Sequence, residues 1–190
     1  MLRLALVVLS GALLAAEAAK PQEATLTSTS LAGKASHLVA TVPAGFTASV
    51  KPMTKFGSSI QSLKVESADQ RVQLLITLLP PNDVLPRDAA GLEATLRQNC
   101  TDFVDGSVEG KITTSPLKLT NGIGSAAIFT DKSEVGKPAP KGTGHYKVMT
   151  CAMVCVGDST LATISAFSDS KEAPDYLAAL KVIAGLRTGK

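Results

Sequence analysis

Short runs of alternating side chains constrain the fold of this 190-residue chain more than any other feature. The clearest is KVMTCAMVCVGD, residues 147–158, where sulfur-bearing side chains occupy every second position. Successive side chains of a β-strand point to opposite faces, so a strand here would project all four sulfur atoms from one face. We call this set the sulfur row: Met149, Cys151, Met153 and Cys155.

Further runs of this kind, separated by turns rich in Pro and Gly, predict hairpin-connected strands on either side of a helix. That helix is expected over residues 88–104, with Asp88 as its N-cap. Its apolar stripe is formed by Ala89, Leu92, Leu96, Cys100 and Phe103. A second helix is expected over 172–187, with an apolar face of Tyr176, Leu180 and Ile183, widened by Leu177 and Ala184. This order predicts an α+β fold, an antiparallel sheet with helices packed on it.

The N-terminus has the layout of a secretory signal peptide over residues 1–18. A positive start is followed by an apolar run, and small residues precede a cleavage point near Ala18. We therefore expect a periplasmic or secreted protein with no membrane span after cleavage. Residues 19–35 are expected to form a polar leader, whose TLTSTSL portion is a candidate edge strand. Residues 36–190 are then expected to form one α+β domain.

Two local motifs are similar to a known superfamily. VPAGFTASV, residues 42–50, resembles the early hairpin of the PsbP-like proteins, with Phe46 at a position where tryptophan is common. The closing SDSKEAPDYLAALKVIAGLR, residues 168–187, resembles the terminal helix of the same group. That superfamily contains extrinsic proteins of the oxygen-evolving complex and many exported bacterial domains. The resemblance implies an α/β/α sandwich that binds protein partners or assists assembly, and it implies no catalytic residue.

The three cysteines allow at most one intramolecular disulfide. Cys151 and Cys155 are four residues apart, about 13 Å in a regular strand, which is beyond disulfide reach. A bridge must therefore use Cys100, which the apolar stripe of the first helix directs toward the sheet. Both Cys100–Cys151 and Cys100–Cys155 are compatible with this geometry. Either would close a loop of about 50 residues and stabilise the fold by roughly 4 kcal/mol.

The sulfur row also raises a hypothesis of Cu(I) binding, because thioether and thiolate ligands select that ion. The candidate ligands are Met149, Cys151, Met153 and Cys155, and His145 could add a nitrogen. A flat strand spaces such ligands along a line, whereas a metal needs them to converge. Packing of the row beneath the first helix is the favoured interpretation, since methionine fills irregular core space.

Other chemistries lack their usual patterns, so we expect no catalytic residue, no cofactor and no enzymatic activity. The lysines are dispersed at a net charge of +3 and aromatic residues are few, which argues against nucleic-acid binding. The loop 132–144, with Lys132, Lys137 and Lys141, is the candidate contact surface. The sequence predicts an exported, non-enzymatic, monomeric domain that binds or stabilises a protein partner in the cell envelope, with Cu(I) binding as the alternative.

Overall fold

The computed structural model describes residues 20–55, 57–81, 84–138 and 146–189. Of these residues, 50% are in strands and 18% in helices. The strands are β1 (Gln22–Thr29), β2 (Ala35–Val42), β3 (Phe46–Lys55), β4 (Ser58–Ser67), β5 (Val72–Leu78), β6 (Thr114–Leu119), β7 (Gly122–Thr130), β8 (Val148–Val156), β9 (Thr160–Ser168) and β10 (Arg187–Thr188). The helices are α1 (Ala89–Asn99), α2 (Pro174–Ala184) and short 3₁₀ helices at Thr101–Phe103 and Lys132–Glu134.

The ten described strands form one antiparallel sheet in the order β10-β2-β1-β4-β5-β9-β8-β7-β6. β3 pairs with β4 outside this order. β1 meets β4 at a single residue pair, Thr29 with Ser59, so the β1–β2 hairpin joins the rest of the sheet at one corner. β2 nevertheless contacts β5 and β9, although other strands separate them in the sheet order. The sheet therefore curls over on itself.

The expected α+β fold, an antiparallel sheet with helices packed on it as an α/β/α sandwich, is wrong. The chain is mostly antiparallel β, with a sheet that curls into a half-barrel. The physical reason is that strand side chains pack directly against other strands. Leu26 of β1, Leu38 of β2 and Leu63 of β4 are fully buried in one core with residues of β5 and β9.

The predicted polar leader also differs from the structure. Gln22–Thr29 forms β1, which pairs with β2 along its full length and lies between β2 and β4 rather than at a sheet edge. Its alternation of Thr and Ser with apolar residues buries Leu26 completely. The predicted signal peptide, residues 1–18, lies outside the described residues.

The two faces of β8 enter different cores. Ala152, Val154 and Val156 belong to the core that contains Tyr176 and Ile183 of α2. Cys151, Met153 and Cys155 belong to a second core that contains Leu92 and Leu96 of α1. Leu177, expected on the buried face of α2, is instead 47% exposed, and Ala179 and Val182 are buried there. Period-two alternation in β8 thus determines which core each side chain enters.

Local signals explain where α1 begins. The side chain of Asp88 accepts a hydrogen bond from the backbone N–H of Gly91 at 2.8 Å, as expected of an N-cap. Leu92, Leu96 and Cys100 are buried as predicted, whereas Ala89 is exposed and Phe103 is 39% exposed. Regular helix ends at Asn99, and the 3₁₀ helix that follows turns Phe103 away from the covered core.

The hairpin before β8 depends on two glycines. Leu119 pairs with Gly122, so the turn between β6 and β7 consists of Thr120 and Asn121. A Cβ at Gly122 would lie 2.2 Å from the carbonyl oxygen of Cys155. A Cβ at Gly124 would lie 2.7 Å from the Val154 side chain. These glycines let β7 approach β8 closely.

Candidate functional site

Most of the sulfur row is covered by α1, as the sequence predicts. Cys151, Met153 and Cys155 are buried, and they share an apolar core with residues of α1. Met149, at the start of the row, is only partly buried. The row therefore has a covered end at Cys155 and an open end at Met149.

The structure brings together two of the three cysteines. All three are free thiols, and no pair of them lies at disulfide distance. Cys100 and Cys151 come together at the contact between α1 and β8, where each thiol affects the ionisation of the other. Interaction with Cys100, together with burial, raises the pKa of Cys151, while interaction with Cys151 lowers the pKa of Cys100. The Cys155 thiol donates instead to the carbonyl oxygen of Gly157 at 3.8 Å. Burial raises the pKa of Cys155.

The candidate Cu(I) ligands do not converge as a set. Neighbouring members of the row are two strand residues apart, a spacing of about 6.6 Å along β8. Within the described ranges, no group of three or more His, Cys, Asp and Glu side chains is arranged to hold a metal ion. His145 lies outside the described residues. The Cu(I) hypothesis, which depends on methionine as well as cysteine ligands, stays an untested prediction.

Three apolar side chains form a cross-strand row at the open end. Met149 of β8 lies opposite Phe129 of β7 on one side and opposite Phe167 of β9 on the other. Side chains in such register project from the same face of a sheet. This face is the one that α1 covers farther along, so the three residues make an apolar floor just beyond the helix.

Two aromatic pairs convert this floor into a cleft of about 350 Å³. The ring centroids of Phe103 and Phe129 are 5.8 Å apart, and those of Tyr146 and Phe167 are 5.5 Å apart. Four of the seven aromatic residues in the chain therefore line one cavity. We call it the aromatic cleft. Its lining comprises Asp102, Phe103, Gly106, Ser107, Phe129, Thr130, Asp131, Tyr146, Lys147, Met149 and Phe167.

The polar groups of the aromatic cleft lie at its rim and carry both signs of charge. Asp131 accepts a hydrogen bond from the backbone N–H of Ser133 at 2.8 Å, and hydrogen bonds from Ser133 lower its pKa. The Lys147 ammonium donates to the carbonyl oxygen of Lys137. Asp102 is exposed on the short 3₁₀ helix. The rim is therefore polar and mixed, above an apolar floor.

The carboxylate of Glu109 supports one edge of the rim. It accepts hydrogen bonds from the backbone N–H of Thr130 at 2.8 Å and from the Thr130 hydroxyl at 2.9 Å. Desolvation opposes ionisation of this group, but the bonds from Thr130 and the positive charge of Lys171 lower its pKa overall. Glu109 therefore anchors β7 where that strand forms the cleft.

The predicted contact loop adjoins the aromatic cleft at Asp131. The ammonium of Lys132 donates to the carbonyl oxygen of Asp105 at 3.1 Å. Lys137 forms an ion pair with Glu134 at 3.4 Å. Lys141 lies outside the described residues. Both described lysines thus brace the loop, a role that their spacing in the sequence does not reveal.

A second cavity of about 330 Å³ lies between α1 and β6. Its only charged lining residue is Glu93, which already accepts hydrogen bonds from Arg97 and from the Thr114 hydroxyl. The other lining residues are small or uncharged: Ala89, Ala90, Thr114, Ser115, Pro116, Gly124 and Ser125. The aromatic cleft is the better candidate site because it combines an apolar, largely aromatic floor with a rim of polar groups.

Sequence reasoning misses the aromatic cleft because its residues come from separate elements. Phe129, Tyr146 and Phe167 each look like isolated aromatic residues in a chain that has few of them. The available signal is that Phe129, Met149 and Phe167 each lie in a strand with alternating side chains. It becomes informative only when the strand register shows that they project from one face.

No family model, no curated protein and no solved structure matches this chain. The resemblance to the PsbP-like group therefore stays an untested prediction. In the described residues, no helix is both long enough and apolar enough to cross a membrane.

Proposed function

We propose that the chain is an exported, non-enzymatic binding protein that holds an apolar side chain of a protein partner in the aromatic cleft. The observation that carries this proposal is the concentration of four aromatic side chains and Met149 around one cavity of about 350 Å³. Aromatic residues and methionine are enriched at protein interfaces, where pockets of this kind receive the anchor residues of a partner. The N-terminal sequence supports export.

An aromatic side chain is the occupant that this lining favours. Phe103 and Tyr146 offer ring faces and edges at the walls, where aromatic contacts add stabilisation beyond burial alone. Met149 places a polarisable thioether in the floor, which also favours an aromatic neighbour. The volume is at the lower end of the range for small-ligand sites, which suits a single side chain.

The rim supports a protein partner in particular. Asp102, Asp131 and Lys147 surround the apolar floor, as a polar rim surrounds the core of a protein interface. Asp131 and Lys147 are already engaged with backbone groups of the chain. Their placement is that of rim groups rather than of an acid and a base aimed at a buried reaction centre, which supports a binding role.

The absence of tryptophan from the chain allows a direct test. N-acetyl-tryptophanamide is a soluble model of an aromatic side chain, and its indole NMR signals cannot be confused with those of the protein. Saturation transfer from the protein to the indole protons would report binding. We expect transfer to N-acetyl-tryptophanamide and none to N-acetyl-alaninamide.

Matched variants locate the binding. Phe103→Ala removes one wall at a position that is 39% exposed, and Leu177→Ala removes a comparably exposed side chain from α2. Loss of one aromatic contact of about 1–2 kcal/mol should weaken binding roughly five- to thirtyfold in Phe103→Ala, whereas Leu177→Ala should bind as wild type. Equal transfer to all three proteins, or none to wild type, would reject the aromatic cleft as the site.

Binding of a protein partner should likewise depend on Phe103 and not on Leu177. Immobilised wild-type protein and both variants would be incubated with envelope extract, and the retained proteins would be compared by mass spectrometry. We expect a partner retained by wild type and by Leu177→Ala but depleted with Phe103→Ala. A set of retained proteins unchanged by Phe103→Ala would contradict the proposal.

A further inference from the structure

Two cysteine thiols from different elements meet inside the second core. Cys100 follows the last residue of α1 and is fully buried, while Cys151 lies in β8 and is 8% exposed. They belong to the same apolar cluster at the contact between α1 and β8, and each thiol shifts the pKa of the other.

The position of the third cysteine separates the two pairings that the sequence leaves open. Cys155 lies four strand residues beyond Cys151, about 13 Å along β8. Its thiol is directed to the carbonyl oxygen of Gly157 at the turn after the strand. The Cys155 thiol is thus engaged away from Cys100, whereas the thiols of Cys100 and Cys151 act directly on each other.

We infer that Cys100 and Cys151 form a disulfide when the chain folds in the presence of a disulfide oxidant, and that Cys155 remains a free thiol. The oxidant is a small disulfide of the glutathione type or a protein disulfide. Both thiols are shielded in the folded chain, so the bond forms during folding, before α1 closes over β8.

The chemistry is two successive thiol–disulfide exchanges. The Cys100 thiolate attacks one sulfur of the oxidant, which breaks the S–S bond, forms a mixed disulfide and releases a first thiolate. The Cys151 thiolate then attacks the Cys100 sulfur of the mixed disulfide and displaces a second thiolate. Two cysteine thiols are oxidised, one oxidant disulfide is reduced, and the two protons lost by the cysteines go to the two leaving groups.

The bridge has a consequence for the aromatic cleft, and this consequence rests on the proposed function. Cys100 directly precedes the 3₁₀ helix Thr101–Phe103, which supplies the Phe103 wall. Cys151 is two residues from Met149, which lies in the floor. A covalent bond between them ties wall to floor next to the cavity, so the oxidised protein should present a better organised cleft than the reduced protein.

The pairing is tested on the full chain. Denatured, reduced protein would be refolded in oxidised and reduced glutathione, and free thiols would then be alkylated under denaturing conditions and mapped by mass spectrometry. We expect one alkylated thiol, at Cys155, and a peptide linked through Cys100 and Cys151. Cys155→Ser should give no alkylated thiol, and Cys151→Ser should give two. Three alkylated thiols in refolded wild type, or a Cys100–Cys155 linked peptide, would overturn the inference.

The effect on the cleft has a separate readout. Saturation transfer to N-acetyl-tryptophanamide would be compared between oxidised protein and the same sample reduced with a phosphine. Binding that is weaker after reduction, on the order of fivefold, would support the coupling. Equal binding in both states would reject the coupling alone. Absence of binding in both states would reject the proposed function, and the mapped pairing would still decide the disulfide.

Discussion

Removing one hydroxyl of a buried hydrogen-bonded pair should cost more stability than half of the loss caused by removing both. The hydroxyls of Thr150 on β8 and Tyr176 on α2 are hydrogen-bonded to each other on the face opposite the sulfur row. Both residues are buried, with Tyr176 at 1% and Thr150 at 3% exposure. Neither hydroxyl can exchange its partner for bulk water in the folded protein.

The magnitudes follow from this burial. Tyr176→Phe leaves the Thr150 hydroxyl unpaired in an apolar core, and Thr150→Val leaves the Tyr176 hydroxyl unpaired, so each should lower the free energy of unfolding by about 1–3 kcal/mol. The double variant replaces both groups by apolar groups of nearly the same shape, which can be close to neutral. We therefore expect it to be more stable than the sum of the single losses predicts, by about 1 kcal/mol or more.

Urea unfolding of wild type, both single variants and the double variant at neutral pH would measure this coupling. The dependence of the unfolding free energy on urea should be the same in all four, which verifies that the variants unfold from comparable states. Additivity within about 0.5 kcal/mol would refute the reasoning. It would mean that water, rather than the opposite hydroxyl, satisfies each group.

Three further predictions test other parts of the fold. Burial raises the pKa of Tyr176 from its ordinary value of 10.0, so the folded chain keeps this proton at a pH where the unfolded chain loses it. The free energy of unfolding should therefore fall as pH rises above about 10, and urea unfolding over a pH series should show a smaller fall in Tyr176→Phe. Leu96→Ala empties buried space beneath α1 and should lower the free energy of unfolding by about 2–5 kcal/mol in the same assay. The exposed control Leu177→Ala should change it by about 0.5 kcal/mol or less, and equal losses would contradict the packing of α1. Gly122→Ala would place a Cβ 2.2 Å from the Cys155 carbonyl oxygen and should lower the melting temperature clearly. Gly106→Ala, with open space around it, should lower it far less, and similar melting temperatures would contradict the close approach of β7 to β8.

Much of the local structure is predictable because it depends on short-range rules. Period-two alternation identifies β8 and the single face of its sulfur atoms. The Asp88 cap and the stripe of Leu92, Leu96 and Cys100 identify α1 and its buried side. These signals depend only on neighbours within one element, so they can be read without knowing the partners of that element.

The sheet order and its curl are not predictable in the same way. Alternation shows that residues 25–31 could be an edge strand, but it does not show that β1 joins β4 at one corner and brings β2 against β5 and β9. A Thr- and Ser-rich segment looks like a solvated leader until its alternate residues are seen to face a core, as Leu26 does. The aromatic cleft has the same origin, since it exists only once β7, β8 and β9 are in register.

The aromatic cleft follows from a mismatch in length between α1 and β8. A helix of 11 residues is about 16 Å long, whereas a strand of 9 residues extends for about 30 Å. Even a helix aligned with β8 would leave nearly half of the strand uncovered on that face. The apolar row continues past the end of α1 to Met149, and the chain surrounds this uncovered stretch with aromatic side chains instead of with a longer helix. One face of one sheet therefore serves as a packed core beneath the helix and as an accessible apolar cleft beyond it.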